Sequence, residues 1–275
     1  MTYAGRHTVS VISVLALILC VACRNEKITL TYIANCGFII ESADNKIIVD
    51  GLFRFGHNRY QTPDTGVIRM ITSGGEPFQG IDLILVTHTH VDHFDRRLVT
   101  ACMENNPGAA LICPSQAVDS LRVDSLSFLK IKDRIIQCNP DPDTSQCIRH
   151  GELEIHACRF PHTGGERFAD TEHLAFLISG KGGTVFHSGD IDPYKTGDYS
   201  GIRINEHNPD IGLLNEDYSK PENAGLAAEF INARNNVAMH LPESQNAVWA
   251  DTVRKNPHLF RNPFIFTRSL EKKSF

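Results

Sequence analysis

His88-Thr89-His90-Val91-Asp92-His93 places four candidate metal ligands within six residues, directly after the apolar run Ile81-Asp82-Leu83-Ile84-Leu85-Val86. Side chains two apart on an extended chain point the same way. His88 and His90 therefore face one site together if strand geometry persists. Asp92 and His93 follow the strand and can turn toward a second site nearby. Imidazoles with a carboxylate suit zinc, iron or nickel better than calcium or magnesium, which prefer all-oxygen shells. A polar loop with surface histidines is the bland alternative, and the ligands further along the chain weigh against it.

Three later segments share one grammar, a strand-like run that ends in a potential ligand. Residues 154–160 lead to Pro161-His162-Thr163-Gly164-Gly165, Thr184-Val185-Phe186-His187 leads to Ser188-Gly189-Asp190, and Asn236-Val237-Ala238-Met239 leads to His240. Glycine at 164, 165 and 189 permits tight backbone turns there.

This ordered set resembles the metallo-β-lactamase superfamily: His88-x-His90-x-Asp92-His93, then His162, Asp190 in a Ser-Gly-Asp run, and His240, with Asp50 at the end of the early run Ile47-Ile48-Val49. Within the superfamily, Thr31-Tyr32-Ile33-Ala34-Asn35-Cys36-Gly37-Phe38 and the run Asn215-Glu216-Asp217-Tyr218-Ser219-Lys220-Pro221 resemble the group of metal-dependent hydrolases that includes ascorbate-6-phosphate lactonase. The likeness covers about residues 28–245. It implies an α+β fold, a four-layer αββα sandwich with the metals at one edge of the sheets. It also implies that His88, His90 and His162 hold one divalent ion, that Asp92, His93 and His240 hold another, and that Asp190 bridges them. Zinc is favoured for both, with manganese or iron open.

Two such ions about 3.5–4 Å apart can bind a water between them and lower its pKa toward 7, so metal-bound hydroxide is the expected nucleophile. No Gly-x-Ser-x-Gly elbow argues for a serine nucleophile. Asp92 can orient the hydroxide or shuttle a proton. His187 is a candidate second catalytic residue, as a proton donor or a support, with a packed strand-end histidine the equal alternative. His156 and His173 read as structural, His57 as solvent-exposed, and Tyr218 as a weak candidate for a pocket contact. The expected activity is hydrolysis of a small-molecule ester, lactone or phosphoester. The alternatives are a non-catalytic metal-binding envelope protein, or a nuclease or iron redox member of the same superfamily. Metal analysis with metal-dependent turnover separates them.

The elements that must position these groups read as strands at residues 28–33, 38–41 and 46–50, then an irregular connection over residues 53–80. Further strands are expected at 109–113, 131–138, 152–160, 173–179, 184–187, 210–214, 237–240 and 263–267, with helices at 96–104, 115–121, 221–235 and 244–255. The stretch 221–235 is the clearest helix, since Pro221 suits a first turn and Ala224, Ala227, Ala228 and Ile231 form one stripe. Several apolar strands with few amphipathic helices suggest two packed sheets with helices outside.

Arg6 and His7 precede an almost unbroken apolar run over residues 9–21, which ends at Ala22-Cys23. That is a secretory signal, too short to span a bilayer easily. The small residues before a Cys resemble a lipoprotein signal cut before Cys23, although Cys20 stands where Leu is commonest. The expectation is a signal segment over residues 1–23, a lipid anchor at Cys23, a location in the bacterial envelope, and one metallo-β-lactamase-like domain over residues 24–275. A secreted or periplasmic soluble protein is the alternative. A net charge of −5 gives no footprint for nucleic acid, and oligomeric state is not readable. Cys36, Cys113 and Cys158 read as buried thiols. Cys138 and Cys147 bracket a polar, proline-bearing loop that a disulfide could close in an exported protein, expected to be a surface excursion remote from the site.

Overall fold

A computed structural model of the chain describes residues 27–56, 59–198, 202–223 and 225–275. The expected signal segment over residues 1–23, with Cys23, and His57 lie outside these.

Runs rich in Ile, Val and Thr build the strands, as their branched side chains favour a pleated surface. β1 (Thr29–Ala34), β2 (Gly37–Ser42) and β3 (Asn45–Val49) form an antiparallel meander. β4 (Leu83–Leu85), β5 (Ala110–Cys113) and β6 (Ile135–Gln137) then add in parallel beside β3. The second sheet begins with the antiparallel strands β7 (Ser145–His150), β8 (Leu153–Arg159), β9 (Leu174–Gly180) and β10 (Gly183–His187). It continues in parallel with β11 (Ile211–Leu214), β12 (Asn235–Ala238) and β13 (Phe264–Ile265). The chain then returns to the first sheet as β14 (Lys272–Ser274), paired with β1.

Side-chain alternation divides the apolar residues between layers. Ile47 and Val49 join Leu83, Leu85, Phe38, Phe176 and Val237 in the core between the sheets. Ile48 and Ile84 point the other way, onto α1 (Thr65–Ser73), α2 (Arg96–Asn105), α3 (Ser115–Arg122) and α4 (Ser125–Ile131). The outer face of the second sheet is covered by Ile191, Ile204, Tyr218, Ala227 and Ile231 from short helical turns. The result is the expected α+β sandwich. Among the described residues no helix is long and apolar enough to cross a membrane.

β3 and β4 run in one direction, and so do β8, β10, β11 and β12. Asp50, residues 88–93, His162, Asp190 and His240 all follow the C-terminal ends of these strands, which is why ligands far apart in sequence arrive at one edge. Single bridges between Leu52 and Phe94 and between His162 and Ile191 tie the site loops to each other.

Several expectations need correction. Residues 53–80 are not wholly irregular: Asp64 accepts the Val67 N–H at 2.8 Å and caps α1, which ends at the left-handed Gly74. Such a cap is worth about 1 kcal/mol. Residues 131–138 begin in helix and only Ile135–Gln137 is strand. Among its described residues the stretch 221–235 forms no α-helix; it shows a 3-10 turn at Pro221–Asn223 and a π turn at Ala227–Ile231. Asn223 donates its side-chain amide to the Asp217 carbonyl, and Asn232 turns left-handed at φ 55°, so both ends are held out of helical register. Cys138 and Cys147 are both free thiols: Cys138 packs into the inter-sheet core while Cys147 faces outward on β7. Their loop is not remote from the site either, since Pro142 and His162 line the same cleft.

Candidate metal centre

Asp50 organises the part of the site that comes from the first sheet. It ends β3 with φ 46°, fully buried. Its Oδ1 accepts the Thr87 N–H at 2.8 Å, and its Oδ2 accepts the Thr87 hydroxyl at 2.6 Å and faces His93 Nδ1 at 2.8 Å. A carboxylate only accepts, so His93 carries its proton on Nδ1 and turns the Nε2 lone pair inward. With the Thr87 proton committed to Asp50, the Thr87 oxygen accepts from His88 Nδ1 at 2.9 Å. His88 thus also presents Nε2. His162 Nδ1 donates to the Thr163 carbonyl at 2.5 Å and presents Nε2 in the same way. Holding the outer ring nitrogen so that the inner one is bare is the usual arrangement of metal-binding histidine.

Asp190 comes from the other sheet. Its backbone N–H donates to His173 Nε2 at 2.9 Å, and His173 Nδ1 in turn faces the Phe160 carbonyl at 3.3 Å. Gly189 has φ +53°, and a Cβ there would lie 2.5 Å from His173 Nε2. Only glycine permits this approach. Asp190 Oδ2 then stands 3.4 Å from the Nε2 atoms of His93, His162 and His240, and 3.9 Å from that of His88.

Two donor groups share Asp190. His88, His90, His162 and Asp190 form one; Cys36, His93, Asp190 and His240 form the other, with the donor atoms of each group within 4.8 Å of one another. Asp92 joins the second group, its Oδ2 lying 3.4 Å from His240 Nε2 and 3.9 Å from His93 Nε2. Asn35 Nδ2 reaches both the Asp92 carbonyl and Oδ2 at 3.3 Å.

The spacing fits metal ions. With metal–nitrogen bonds of about 2.0–2.1 Å, tetrahedral donors lie roughly 3.3–3.4 Å apart. His88 Nε2 is 3.0 Å from His90 Nδ1 and 3.2 Å from His162 Nε2. With the outer nitrogens of His88 and His162 holding their protons, their Nε2 lone pairs face each other and repel unless a cation lies between them. His93 Nε2 and His240 Nε2 are buried and have no hydrogen-bond partner among the described residues, a costly state for polar atoms that a cation relieves. The electrostatics agree. Burial opposes charge on His93, yet Asp190 and Asp50 raise its pKa well above the ordinary histidine value, so the carboxylates draw positive charge to this spot, a second proton on His93 or a metal ion that would displace it. Burial likewise opposes the Asp92 and Asp190 carboxylates, but His240 and His93 hold Asp92 at about 2 and Asp190 well below the usual range. Burial, with His162 next, lowers His90 to about 4, which keeps it neutral for binding.

His187 lies elsewhere. The Gly189 N–H donates to its Nδ1 at 3.1 Å, so Nε2 carries the proton and donates to the Cys36 carbonyl at 2.9 Å. The ring is fully buried, and both nitrogens are committed to backbone. It supports two turns of the site and does not line the cavity, so the proton-donor reading gives way to a positioning one. Tyr218 is also buried, within the outer core rather than the pocket. His156 pairs with Glu154 at 3.2 Å, away from the centre.

His90, Asp92, His162, Asp190 and His240 form the floor of a cavity of about 390 Å³ whose walls include Arg59, Tyr60, Thr163, Arg167, Phe168, Glu216, Asp217 and Lys220. Arg59, Tyr60, Arg167 and Phe168 carry no sequence signal of their own. Tyr60 covers His240, with ring centroids 4.2 Å apart, and its hydroxyl reaches Glu216 at 2.8 Å. Arg59 also pairs with Glu216, and Lys220 with Asp217. Arg167 is exposed beside Phe168 and has no carboxylate within ion-pair distance among the described residues.

The model of the β-lactamase superfamily domain matches residues 63–255. A metal-dependent hydrolase of Methanosphaera stadtmanae is 26% identical over 200 residues, covering 68% of this chain and 81% of that protein. Among solved structures, a metallo hydrolase from Ignicoccus hospitalis superposes with a TM-score of 0.62 at 17% identity, covering 90% of this chain and 98% of its own. A metallo-β-lactamase fold protein of Bacillus subtilis superposes with a TM-score of 0.55 at 17% identity, covering 91% and 100%. With a donor cluster built from strand ends and a domain match over most of its length, the chain belongs to the β-lactamase superfamily and is a metal-dependent hydrolase.

Proposed function

We propose that the protein is a dinuclear zinc hydrolase of a small ester, lactone or phosphoester. The observation that carries this is the pair of donor groups sharing Asp190 on the floor of an open cavity. A shared carboxylate suits two ions, and the histidine-rich shell suits zinc. His88, His90 and His162 would hold the first ion, Asp92, His93 and His240 the second, and Asp190 both. Two such ions activate water and polarise the electrophile's oxygen. The chain supplies the rest. Asp92 lies at the cavity floor, where its carboxylate can accept a hydrogen bond from the attacking water and orient it. Arg167, free of a carboxylate partner, can meet an anionic group of the substrate, while Arg59 and Lys220 are already neutralised. Phe168 packs on His90 and His162 with centroids 4.8 Å away from each, giving that wall an apolar face.

The test is metal analysis of the protein together with turnover on lactone, phosphodiester, thioester and β-lactam panels. Two equivalents of zinc and turnover that disappears on chelation and returns on reloading are expected. Activity that survives complete metal removal overturns the mechanism, and bound metal without turnover points to a binding protein instead.

We also propose attachment to the cell envelope by lipid at Cys23, on the strength of the apolar run before Ala22-Cys23. Mass spectrometry of the N-terminus from the native host should find a lipidated Cys23. An unmodified N-terminus cut elsewhere overturns it.

A further inference from the structure

Cys36 is fully buried in the two-residue turn between β1 and β2, and it faces the second donor group rather than the apolar core alone. Its Sγ lies 3.9 Å from Asp190 Oδ1 and within 4.8 Å of a ring nitrogen of His93 and of His240. The Nε2 atoms of both histidines are buried and have no hydrogen-bond partner among the described residues. A metal–sulfur bond of about 2.3 Å beside a metal–oxygen bond of about 2.1 Å sets sulfur and oxygen roughly 3.6 Å apart at a tetrahedral angle, close to what is seen.

The turn is fixed from several sides. His187 donates to the Cys36 carbonyl, the His240 N–H reaches the Asn35 carbonyl at 3.4 Å, and Asn35 holds Asp92. A Cβ on Gly37 would lie 2.7 Å from the Gly51 backbone, so the turn is closely packed against the start of the next loop. The sulfur is therefore held in place by the same contacts that place Asp92 and His240.

We infer that Cys36 is a further ligand of the second ion, bound as thiolate. This rests on the dinuclear reading above. On binding, the S–H bond breaks, a metal–sulfur bond forms and the proton leaves to solvent. The first site would then be bound by nitrogen and a carboxylate, and the second would gain a soft donor that favours zinc or iron over manganese or magnesium. The competing role for Cys36 is a thiol that only donates a hydrogen bond to Asp190.

Cobalt(II) separates the two, because a cobalt–thiolate bond gives an intense near-ultraviolet charge-transfer band that a hydrogen-bonded thiol does not. Titration of the metal-free full chain with cobalt alone should develop this band with the ion that fills the second site. Cys36→Ser and Cys36→Ala should both lack it and bind that ion at least about 10- to 100-fold more weakly, the loss that even outer-shell changes produce. Cys147→Ala should keep the band, which excludes the exposed thiol beside Glu154 and His156. Two bound cobalt ions without the band, or a band that persists in Cys36→Ala, overturn the inference and leave the dinuclear reading standing. A Cys36→Ser protein that binds both ions as the parent does assigns the hydrogen-bonding role. Fewer than two cobalt ions in the parent protein overturns the dinuclear reading itself.

Discussion

The two halves of the centre are braced by different chemistry. In the first, the outer nitrogens of His88 and His162 are held by neutral groups, the Thr87 hydroxyl and the Thr163 carbonyl, and His90 is only half-buried. In the second, His93 rests on the Asp50 carboxylate, Asp92 is gripped by Asn35, and His240 lies under Tyr60. An anionic brace raises ligand basicity more than a neutral one. The second half also contributes Asp92, a carboxylate of its own. On the dinuclear reading, the comparison teaches that two sites sharing Asp190 need not hold their ions equally. The second should release its ion last under chelation.

Asp190→Ala tests what the halves share and should have the largest effect. It removes the oxygen that stands 3.4 Å from three histidine nitrogens. Both ions should bind weakly. The electrostatic contribution of a catalytic ion is worth several kcal/mol, so turnover should fall about 10³-fold or more at 1.36 kcal/mol per tenfold. Full activity with normal metal content in this variant would sink the bridging role.

His162→Ala and Asp92→Ala separate the halves. Each should leave about one ion, with turnover down by roughly 10²-fold. His162→Ala should keep the tightly held ion, and Asp92→Ala should keep the one that chelators remove readily. Calorimetric titration with zinc reads both affinities, and equal residual affinities in the two variants would erase the asymmetry.

Asp50→Asn attacks the brace rather than a ligand. The new amide presents donors to both Thr87 and His93, so at least one buried partner loses its acceptor. A stability loss of about 1–3 kcal/mol is expected, read as a lowered Tm in the metal-free protein. Zinc affinity at the second site should fall by about 10- to 100-fold, and by less at the first, which Asp50 reaches only through Thr87.

Local patterns were the legible part of this centre. Residues 88–93 announce themselves because the ligands sit two apart at a strand end, and His162, Asp190 and His240 because each follows a strand-like run. Strand bounds such as Thr29–Ala34 and Asn45–Val49 fall within a residue of the apolar pattern. What escaped depends on partners supplied by the fold. Cys36 is a lone cysteine whose neighbours, Asp190 and His240, are more than 150 residues away along the chain. The role of His187 is decided by the Gly189 N–H, which no periodicity reveals. The stripe of alanines after Pro221 suggests a helix, but Asn223 and Asn232 make other backbone contacts first. Arg59 and Tyr60 stand on a loop where nothing in the local pattern points to a site.

Tyr60→Phe should give the smallest effect and shows where the bracing of the second half ends. Burial and Glu216 push the Tyr60 pKa up, so its hydroxyl stays protonated and donates to Glu216 at 2.8 Å. Glu216 keeps Arg59 as a partner when that hydroxyl is lost. The cost should therefore be that of one hydrogen bond, about 0.5–1.5 kcal/mol. The ring still covers His240, so metal content should stay at two and KM should move less than about tenfold, since one such bond is worth about that factor. Tyr60→Ala uncovers His240 to water and should loosen the second ion while sparing the first. If Tyr60→Phe alone releases an ion, the chain from Arg59 through Glu216 belongs to the brace, and the second half is held from the cavity wall as well as from beneath.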